Sequence, residues 1–331
     1  MKTALGSVLT LLAAATFGHA ADLERFRFTE PHMGTRVTIT VYAPGEEPAR
    51  AGVDRAFARI RELNSILSDY DEESELMRLS RQPPGTPVAV GDDLLAVLAR
   101  AGAISVLTGG AFDITVGPLA RLWREARASA TLPDPETIER ARRATGYRKL
   151  CIDREAGTVT LLAEGMRLDP GGIGKGYAAD AALAVLRETG LSQALVAVGG
   201  DLAIGDPPPG ARGWRVGIAP GGGTGNAGVS PRLLANTAVS TSGDAEQFVE
   251  IEGIRYSHIL DPRTGLGLTG RMAVTVIAPD AATADALATA ISVMGSLEGL
   301  ALVEFLPGIE ALILRITEPC PVKTLSSGFP K

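Results

Sequence analysis

The amino-acid sequence predicts an α+β fold, with antiparallel or mixed sheets and packed helices in a single compact unit. Two observations lead to this prediction: strand-like segments occur in hairpin-like pairs, and helical segments lie between the pairs. The chain has 331 residues and is 45% hydrophobic and 21% charged, which provides enough apolar material for a sizeable core. No internal repeat or linker divides the sequence. Because the strands cluster as hairpins with helices between them, we do not expect a regularly alternating parallel sheet.

The N-terminal residues have the pattern of a secretory signal peptide. A basic start precedes a mostly apolar run over residues 4–17, and the small residues Gly18 and Ala20 frame a cleavage site. The apolar run is short for a membrane span, although a retained anchor is the alternative. We expect residues 1–20 to be cleaved and residues 21–331 to form a periplasmic domain without stable membrane insertion. No cysteine lies at the cleavage site, so we expect no lipid anchor.

Composition restricts the partners that the chain is expected to bind. The formal net charge of −6 argues against nonspecific nucleic-acid binding, which requires a basic face. An anionic ligand would instead have to be held by local groups, such as backbone N–H groups, a lysine or a metal. The two cysteines, Cys151 and Cys320, either pair in an oxidising compartment or are small buried residues, and the sequence leaves both possibilities open.

Helices are predicted where apolar residues recur at three- to four-residue spacing. In the first of them Val53, Phe57 and Ile60 lie on one stripe, which gives the segment a face for the core. Ser74 is typical of an N-cap, and Pro118 is typical of a first helical turn. The predicted helices cover residues 46–67, a short segment after Ser74, 92–107, a segment opened by Pro118, 133–144, a segment beginning near Tyr177, and 281–294.

Strands are predicted for short apolar and β-branched runs that are bounded by turn residues. Residues 149–152 and 158–162 form a predicted hairpin, because a polar turn separates two such runs. The other predicted strands cover residues 26–28, 37–41, 194–198, 202–204, 214–218, 237–241, 248–251, 255–259, 273–277 and, as the last strand, 308–317.

The stretch LDPGGIGKGYAAD, Leu168–Asp180, is the first candidate for a functional site. It holds four glycines and Lys175 immediately before a helical pattern, so backbone N–H groups and one cation would face a ligand. These are the groups that hold a phosphate, although a tight turn packed against a helix is the alternative. The stretch is not a P-loop, because Gly176 rather than Ser or Thr follows the lysine, and it matches a dinucleotide fingerprint only loosely.

Asp285 and Thr289 are the second candidate, because their i, i+4 spacing places them on one face of a predicted helix. A carboxylate and a hydroxyl are hard oxygen donors that suit Mg²⁺, which also takes water and phosphate oxygens. The alternative is an exposed Asp beside a Thr that bonds to the helix backbone. No CxxC or HExxH motif indicates zinc or iron.

His258 is the third candidate, since it lies at the end of a predicted strand and precedes a polar turn, where functional residues are common. The alternative is a structural or surface histidine. Ser240 and Ser242 would allow a serine-hydrolase reading, but the sequence has no G-x-S-x-G elbow to support one.

Taken together, six segments of the chain resemble the ApbE family of flavin transferases. They are LDPGGIGKGYAAD, GAFDITVGPL, VAVGGDLAIGD, VSTSGDAEQF, SHILDPRTG and the helix ADALATA, and the likeness runs from about residue 33 to residue 290. The resemblance implies an α+β fold related to the T-fold. It also implies a Mg²⁺-dependent enzyme that uses FAD as substrate, attaches FMN to a threonine of an acceptor flavoprotein through a phosphoester bond, and releases AMP. A respiratory or electron-transfer subunit is the implied acceptor.

The same resemblance assigns roles to individual positions of this sequence. It implies metal binding by Asp285, Thr289 and the carbonyl of Gly172, and it places Lys175 near the FAD phosphates. His258 is implied to lie near the isoalloxazine and the scissile phosphate, where we expect it to act as the general base. The residues implied to line the rest of the FAD pocket are Met33, Tyr70, Ala111, Phe112, Asp113, Ile259 and Leu260.

The sequence also departs from the family pattern. The SGD motif continues as Ala245-Glu246-Gln247 instead of an aromatic residue followed by Glu-Arg, so we assign no role beyond Asp244 in this motif. Asp244 itself is the weaker candidate for the general base. Three other functions remain open at this point. They are an FAD pyrophosphatase that releases FMN and AMP, a non-catalytic FAD-binding protein and a nicotinamide dehydrogenase.

Overall fold

A computed structural model describes residues 23–218, 230–243, 247–317 and 320–330, and the predicted signal peptide lies outside these residues. Its strands, in chain order, are β1 (Glu24–His32), β2 (Thr35–Ala43), β3 (Val88–Ala89), β4 (Leu150–Asp153), β5 (Thr158–Leu161), β6 (Ala194–Val198), β7 (Asp201–Ile204), β8 (Trp214–Ile218), β9 (Ser230–Leu234), β10 (Thr237–Gly243), β11 (Phe248–Ile251), β12 (Ile254–Ser257), β13 (Leu260–Asp261), β14 (Leu266–Gly267), β15 (Met272–Ala278), β16 (Glu310–Arg315) and β17 (Val322–Leu325). Its helices are α1 (Glu46–Leu67), α2 (Glu75–Ser80), α3 (Asp92–Leu107), α4 (Gly117–Ser129), α5 (Pro135–Ala144), α6 (Gly174–Glu188), α7 (Ala281–Met294) and α8 (Ser296–Glu304), with a 3₁₀ turn at Tyr147–Lys149.

An eight-stranded sheet in the order β1-β2-β6-β7-β10-β15-β16-β17 organises the molecule, and this confirms the predicted α+β fold. Every neighbouring pair in the sheet is antiparallel. Smaller antiparallel sheets are formed by β3-β5-β4, β8-β9, β11-β12 and β13-β14.

The large sheet is covered on both faces, as the alternation of its side chains requires. On one face Val37, Ile39 and Val41 of β2 pack in one core with Phe57 of α1 and Ala182 of α6. On the same side α7 packs against β10 and β15. On the other face the β8–β9 hairpin covers β15 and β16, and its Trp214 and Ile218 belong to a separate core.

Helices α1, α3 and α7 begin and end at the predicted residues, and the predicted hairpin β4–β5 is confirmed. The helix α8 was missed. It follows directly on Gly295, which has a positive φ of 82° and ends α7. Its Gly299 weakens the helical pattern, but this glycine packs directly against Ile291 of α7. The strand predicted over residues 308–317 is present as β16. The prediction that it is the last strand was wrong, because β17 follows it in the chain and pairs with it.

Both cysteines are exposed free thiols, so neither expectation for Cys151 and Cys320 is met. The strand β4 alternates between half-buried and exposed residues, and Cys151 falls on its exposed side. In the described ranges, no helix is both long enough and apolar enough to cross a membrane.

Candidate active site

Lys175 lies between two buried aspartates at the centre of the candidate site. Its Nζ donates to Asp201 Oδ2 at 2.6 Å and to Asp285 Oδ2 at 3.3 Å. The other oxygen of Asp201 accepts a hydrogen bond from the hydroxyl of Ser240. Asp201 is 2% exposed and Asp285 is 3% exposed, so both carboxylates are shielded from water, whereas the Lys175 side chain is half-buried.

The electrostatics of this cluster follow from burial and mutual attraction. Burial alone would lower the pKa of Lys175, but the Asp201 and Asp285 carboxylates outweigh it and raise that pKa, so the ammonium stays charged. Burial, together with the charge of Asp201, raises the pKa of Asp285 to about 7, although Lys175 opposes this shift. Asp285 is therefore a carboxylate whose ionised form further positive charge would stabilise.

Close packing of two helix N-termini brings Lys175 and Asp285 together. Lys175 is in the first turn of α6, and the neighbouring Gly176 N–H donates to Asp285 Oδ2 at 3.3 Å. A Cβ atom at Gly176 would lie 2.2 Å from the carbonyl oxygen of Ala281, so only glycine allows this approach. Asp180 of α6 then accepts from the Ala281 N–H at 2.8 Å, so it caps the N-terminus of α7.

The Gly-rich stretch is therefore partly helical, because α6 already begins at Gly174. Before that residue, the chain turns back through two hydrogen bonds to the Pro170 carbonyl, donated by the Ile173 N–H at 3.0 Å and the Gly174 N–H at 2.7 Å. The predicted combination of a Gly-rich turn, a helix N-terminus and a lysine is thus present. The lysine, however, already has two carboxylate partners.

Thr289 and Gly172 meet beside this cluster. A Cβ atom at Gly172 would lie 3.0 Å from Thr289 Oγ1 and 3.3 Å from the Phe112 ring, so the loop passes directly over the helix. Ser242 Oγ lies 3.4 Å from Thr289 Oγ1 and adds a second hydroxyl. As predicted, Asp285 and Thr289 lie on one face of the helix, and both contact the Gly-rich stretch. Asp285 is buried, so it is not the exposed residue of the alternative interpretation.

These donors suit a hard divalent cation better than zinc. Within the part of the chain that the structure describes, no group of three or more His, Cys, Asp or Glu could hold a metal. The Asp285 carboxylate and the Thr289 and Ser242 hydroxyls are instead hard oxygen donors of the kind that Mg²⁺ takes together with water and phosphate.

His258 connects β12 to β13, and one of its ring nitrogens has a fixed role. Its Nδ1 lies 3.1 Å from the carbonyl oxygen of Gln247. Because a carbonyl only accepts, Nδ1 must carry the proton, and Nε2 of the neutral ring is left as the proton acceptor. Burial lowers the pKa of His258, and the positive charges of Arg127 and Lys175 lower it further. The ring is therefore neutral near pH 7, as a general base must be.

The other predicted residues are divided between the core and the rim of the site. Ile259 and Leu260, which follow His258, are buried in two different cores. Met33 has a positive φ of 51°, and its Cε lies 3.9 Å from the position of a Cβ at Gly174. Tyr70 is 78% exposed, and the Arg124 guanidinium lies 4.4 Å above its ring.

The segment Ala111–Asp113 reaches the site through its aromatic residue. Ala111 and Phe112 are buried, and the Phe112 ring is the group that approaches Gly172. The carboxylate of Asp113 is occupied by the chain itself, because it accepts from Thr115 Oγ1 at 2.6 Å and from the Tyr147 N–H at 2.8 Å. Asp113 therefore shapes the loop that carries Phe112.

Sequence reasoning missed Asp201 and Arg124 as members of the site. Asp201 was not singled out, although its place after Gly199-Gly200 at a strand end was an available signal. Arg124 is one of three arginines on α4, and nothing local distinguishes it from the other two. Asp244, the weaker candidate for the base, lies outside the described residues.

Comparisons with known proteins agree with this architecture. A model of the ApbE family matches residues 33–313. A Treponema pallidum protein named FAD:protein FMN transferase is 33% identical over 323 residues, which is 93% of this chain and 89% of that protein. The solved structure of flavin transferase ApbE from Vibrio cholerae superposes with a TM-score of 0.82 at 31% identity, covering 93% of this chain and 98% of that one. The apo form of Pseudomonas stutzeri flavinyl transferase ApbE also gives 0.82, at 32% identity, with 93% and 96% covered.

The fold, the arrangement of the site and these relatives define the class of the protein, which is an enzyme that transfers a chemical group. The chain belongs to the ApbE family, as its sequence motifs predicted.

Proposed function

We propose that the protein transfers FMN from FAD onto a threonine of an acceptor flavoprotein through a phosphoester bond, in the presence of Mg²⁺, and releases AMP. The name shared by its relatives, FAD:protein FMN transferase, supports this activity. The observation that carries it is the half-buried Lys175 between the buried Asp201 and Asp285, next to the contact between Gly172 and Thr289. This arrangement brings together one fixed cation, which can face a pyrophosphate, and oxygen donors that can hold a metal beside it.

The remaining predicted residues would bind the two ends of FAD. Met33 and Tyr70 would contact the flavin nucleotide, and residues 111–113 would contact the adenosine part, with Phe112 as the group closest to the Gly-rich loop. His258, Ile259 and Leu260 would form the wall near the isoalloxazine. Lys175 would lie beside the pyrophosphate.

Asp285, Thr289 and the Gly172 carbonyl are the groups that would hold Mg²⁺. When bound, Mg²⁺ would neutralise charge on the pyrophosphate oxygens. Lys175 would add a preorganised positive charge for the same oxygens, which needs no reorientation during the reaction.

The acceptor threonine is a poor nucleophile and requires a base. In the proposed step, His258 Nε2 takes the hydroxyl proton while the threonine oxygen forms a bond to the FMN phosphorus. The bond from that phosphorus to the bridging oxygen breaks, and AMP leaves with the electron pair. His258 then returns its proton to AMP or to water. Asp244 remains the alternative base.

We also propose that the reaction takes place in the periplasm, after export by a signal peptide over residues 1–20. The acceptor would be a respiratory or electron-transfer subunit in the same compartment. The acidic chain, with its net charge of −6, supports a protein partner rather than a nucleic acid.

Incubation with FAD, Mg²⁺ and an acceptor protein tests this function directly. Fluorescent FMN that stays on the denatured acceptor, with AMP released in equal amount, is the expected result, and an acceptor with valine at the target threonine is the matched control. Free FMN formed without any acceptor would identify a pyrophosphatase instead. Intact FAD after long incubation would identify a binding protein.

A further inference from the structure

One arginine ties two separate loops together at the rim of the site. Arg124 is on α4, and its Nη2 donates to Asp169 Oδ2 at 2.9 Å and also to Asp69. Asp69 and Asp169 are 100 positions apart in the sequence numbering, yet one guanidinium joins them. Burial and the neighbouring Asp69 charge raise the pKa of Asp169, whereas Arg124 lowers it, so the arginine is what makes this pair of carboxylates tolerable.

The same guanidinium also stacks on an aromatic ring. The Arg124 Cζ lies 4.4 Å from the centroid of Tyr70, which is within the range of a cation–π contact. Tyr70 is nevertheless 78% exposed, so a large part of the side chain remains open to a ligand. A tyrosine on a surface loop normally has free rotamers, and the stack removes part of that freedom before any ligand arrives.

The backbone under Tyr70 is organised independently of the arginine. The Tyr70 and Asp71 N–H groups lie 3.3 Å and 3.2 Å from Ser68 Oγ, and Ser74 Oγ donates to the Ser68 carbonyl at 2.6 Å. These hydrogen bonds order the backbone of the loop, and Arg124 determines the position of the Tyr70 side chain.

The second loop held by Arg124 is the Gly-rich loop of the active site. Asp169 Oδ1 accepts from the Gly171 N–H at 2.8 Å, and the Asp169 N–H donates to the Ile114 carbonyl at 2.8 Å. Gly172, which contacts Thr289, comes next in the chain. Arg124 thus fixes the Tyr70 ring relative to the residues that face the pyrophosphate in the proposed function.

We propose that Arg124 is a positioning residue that holds the Tyr70 ring as a stacking platform for a flat ring of the flavin nucleotide. Its planar group can pair with two carboxylates and lie on an aromatic face at the same time, which a lysine cannot do. This inference rests on the proposed function, because it takes FAD as the ligand. It adds a residue that never touches the phosphates but controls the affinity for FAD.

The test is FAD binding without an acceptor, measured by the change in flavin fluorescence, for Arg124→Ala, Arg124→Lys, Tyr70→Ala and the Arg124→Ala/Tyr70→Ala double variant. Arg121→Ala is the matched control, since Arg121 is on the same helix and pairs only locally with Glu125. Loss of the stack should weaken FAD binding about tenfold in each single variant. The double variant should bind FAD less than about twofold more weakly than Tyr70→Ala, because both changes remove the same stacking platform.

Arg124→Lys separates positioning from folding. It keeps a positive charge between the two carboxylates, so it should restore the melting temperature lost in Arg124→Ala but not the FAD affinity. In the transfer assay, KM for FAD should rise while kcat at saturating FAD stays unchanged. Full recovery of FAD affinity in Arg124→Lys, or additive losses in the double variant, would overturn the inference. Wild-type protein that fails to bind FAD would overturn the proposed function with it.

Discussion

The cluster around Lys175 and the cluster around Arg124 have the same composition, one cation between two aspartates, but the chain holds them in different ways. The partners of Lys175 belong to regular elements: Asp201 opens β7, and Asp285 is in the second turn of α7. Both carboxylates are almost completely buried. A compact ammonium in this setting is a fixed point charge, which suits a ligand that carries phosphate.

The partners of Arg124 belong instead to loops at the rim, and one of them adjoins the exposed Tyr70. A planar guanidinium there orients a ring rather than a charge. Under the proposed function, the first cluster would support the chemistry, whereas the second would support recognition of the flat parts of the ligand. Changes in the first cluster should therefore reduce turnover, and changes in the second should reduce binding.

The largest effect is expected from Asp285→Ala, which should abolish Mg²⁺-dependent transfer. The change removes the carboxylate that would hold the metal and leaves Lys175 with a single partner, Asp201. In-gel fluorescence of the acceptor measures the loss, and Asp54→Ala on the exposed face of α1 is the control. Transfer that persists in Asp285→Ala would refute the metal assignment and with it the contrast between the two clusters.

His258→Ala should reduce turnover by about 10²- to 10⁴-fold while FAD still binds. The positive charges of Arg127 on α4 and Lys175 on α6 both lower the pKa of His258, which favours the neutral ring that a base requires. Unchanged turnover would remove it as the base and leave Asp244 as the candidate. The comparison of kcat with FAD affinity separates a role in chemistry from a role in binding.

The pH dependence of the wild-type enzyme adds a second measurement on His258. Its pKa lies below the usual 6.5, so the neutral ring is present at pH 7 and is lost only as the pH falls through that lowered pKa. We expect the acid limb of kcat to have its midpoint below pH 6.5 and to disappear in His258→Ala. A midpoint above that value would contradict the assignment.

Asp201→Asn should lower kcat/KM about tenfold, in the range typical of groups that orient a site without touching the substrate. The amide oxygen can still accept from Ser240, but the amide NH₂ would face the Lys175 ammonium and displace it. Ser240→Ala keeps the ion pair and should have a smaller effect. If the two variants were equally impaired, Asp201 would act through packing rather than through Lys175.

The smallest effect is expected from Ser74→Ala beneath the Tyr70 loop. Ser74 Oγ accepts from the Met77 N–H at 3.0 Å and donates to the Ser68 carbonyl, so it caps α2 and closes the loop. Loss of such a cap costs about 1 kcal/mol, which should lower the melting temperature by about 2 °C. Ser65→Ala, at an exposed position of α1, is the control and should leave the melting temperature unchanged. An equal decrease in melting temperature in both variants would show that the Ser74 cap does not contribute more to stability than the exposed Ser65.

The sequence was sufficient for the helices α1, α3 and α7 because their signals are local. Asp280 caps α7 through the Thr283 N–H at 2.8 Å, and Gly295 ends the same helix, so both boundaries were visible in the pattern. The shared face of Asp285 and Thr289 followed from helical spacing alone.

The partners of Lys175 and Arg124 were not predictable, because these contacts join residues that are far apart in the sequence. Lys175 meets Asp201 across 26 residues and Asp285 across 110, and Arg124 meets Asp69 across 55. Neither helical nor strand periodicity carries information about which element lies beside which at such separations. The Gly-rich stretch therefore predicted a cation near a loop, but not that two carboxylates already hold that cation.

The close approach of α6 and α7 also determines when the site comes into being during folding. Gly176 and Asp285 are 109 residues apart in the chain, so their contact forms only after a long loop has closed. Before that event Lys175 lacks one of its two carboxylates, and the oxygen donors of α7 are not beside the Gly-rich loop. Competence to hold the ligand therefore depends on this long-range contact, and the local structure of α6 or of α7 alone does not supply it.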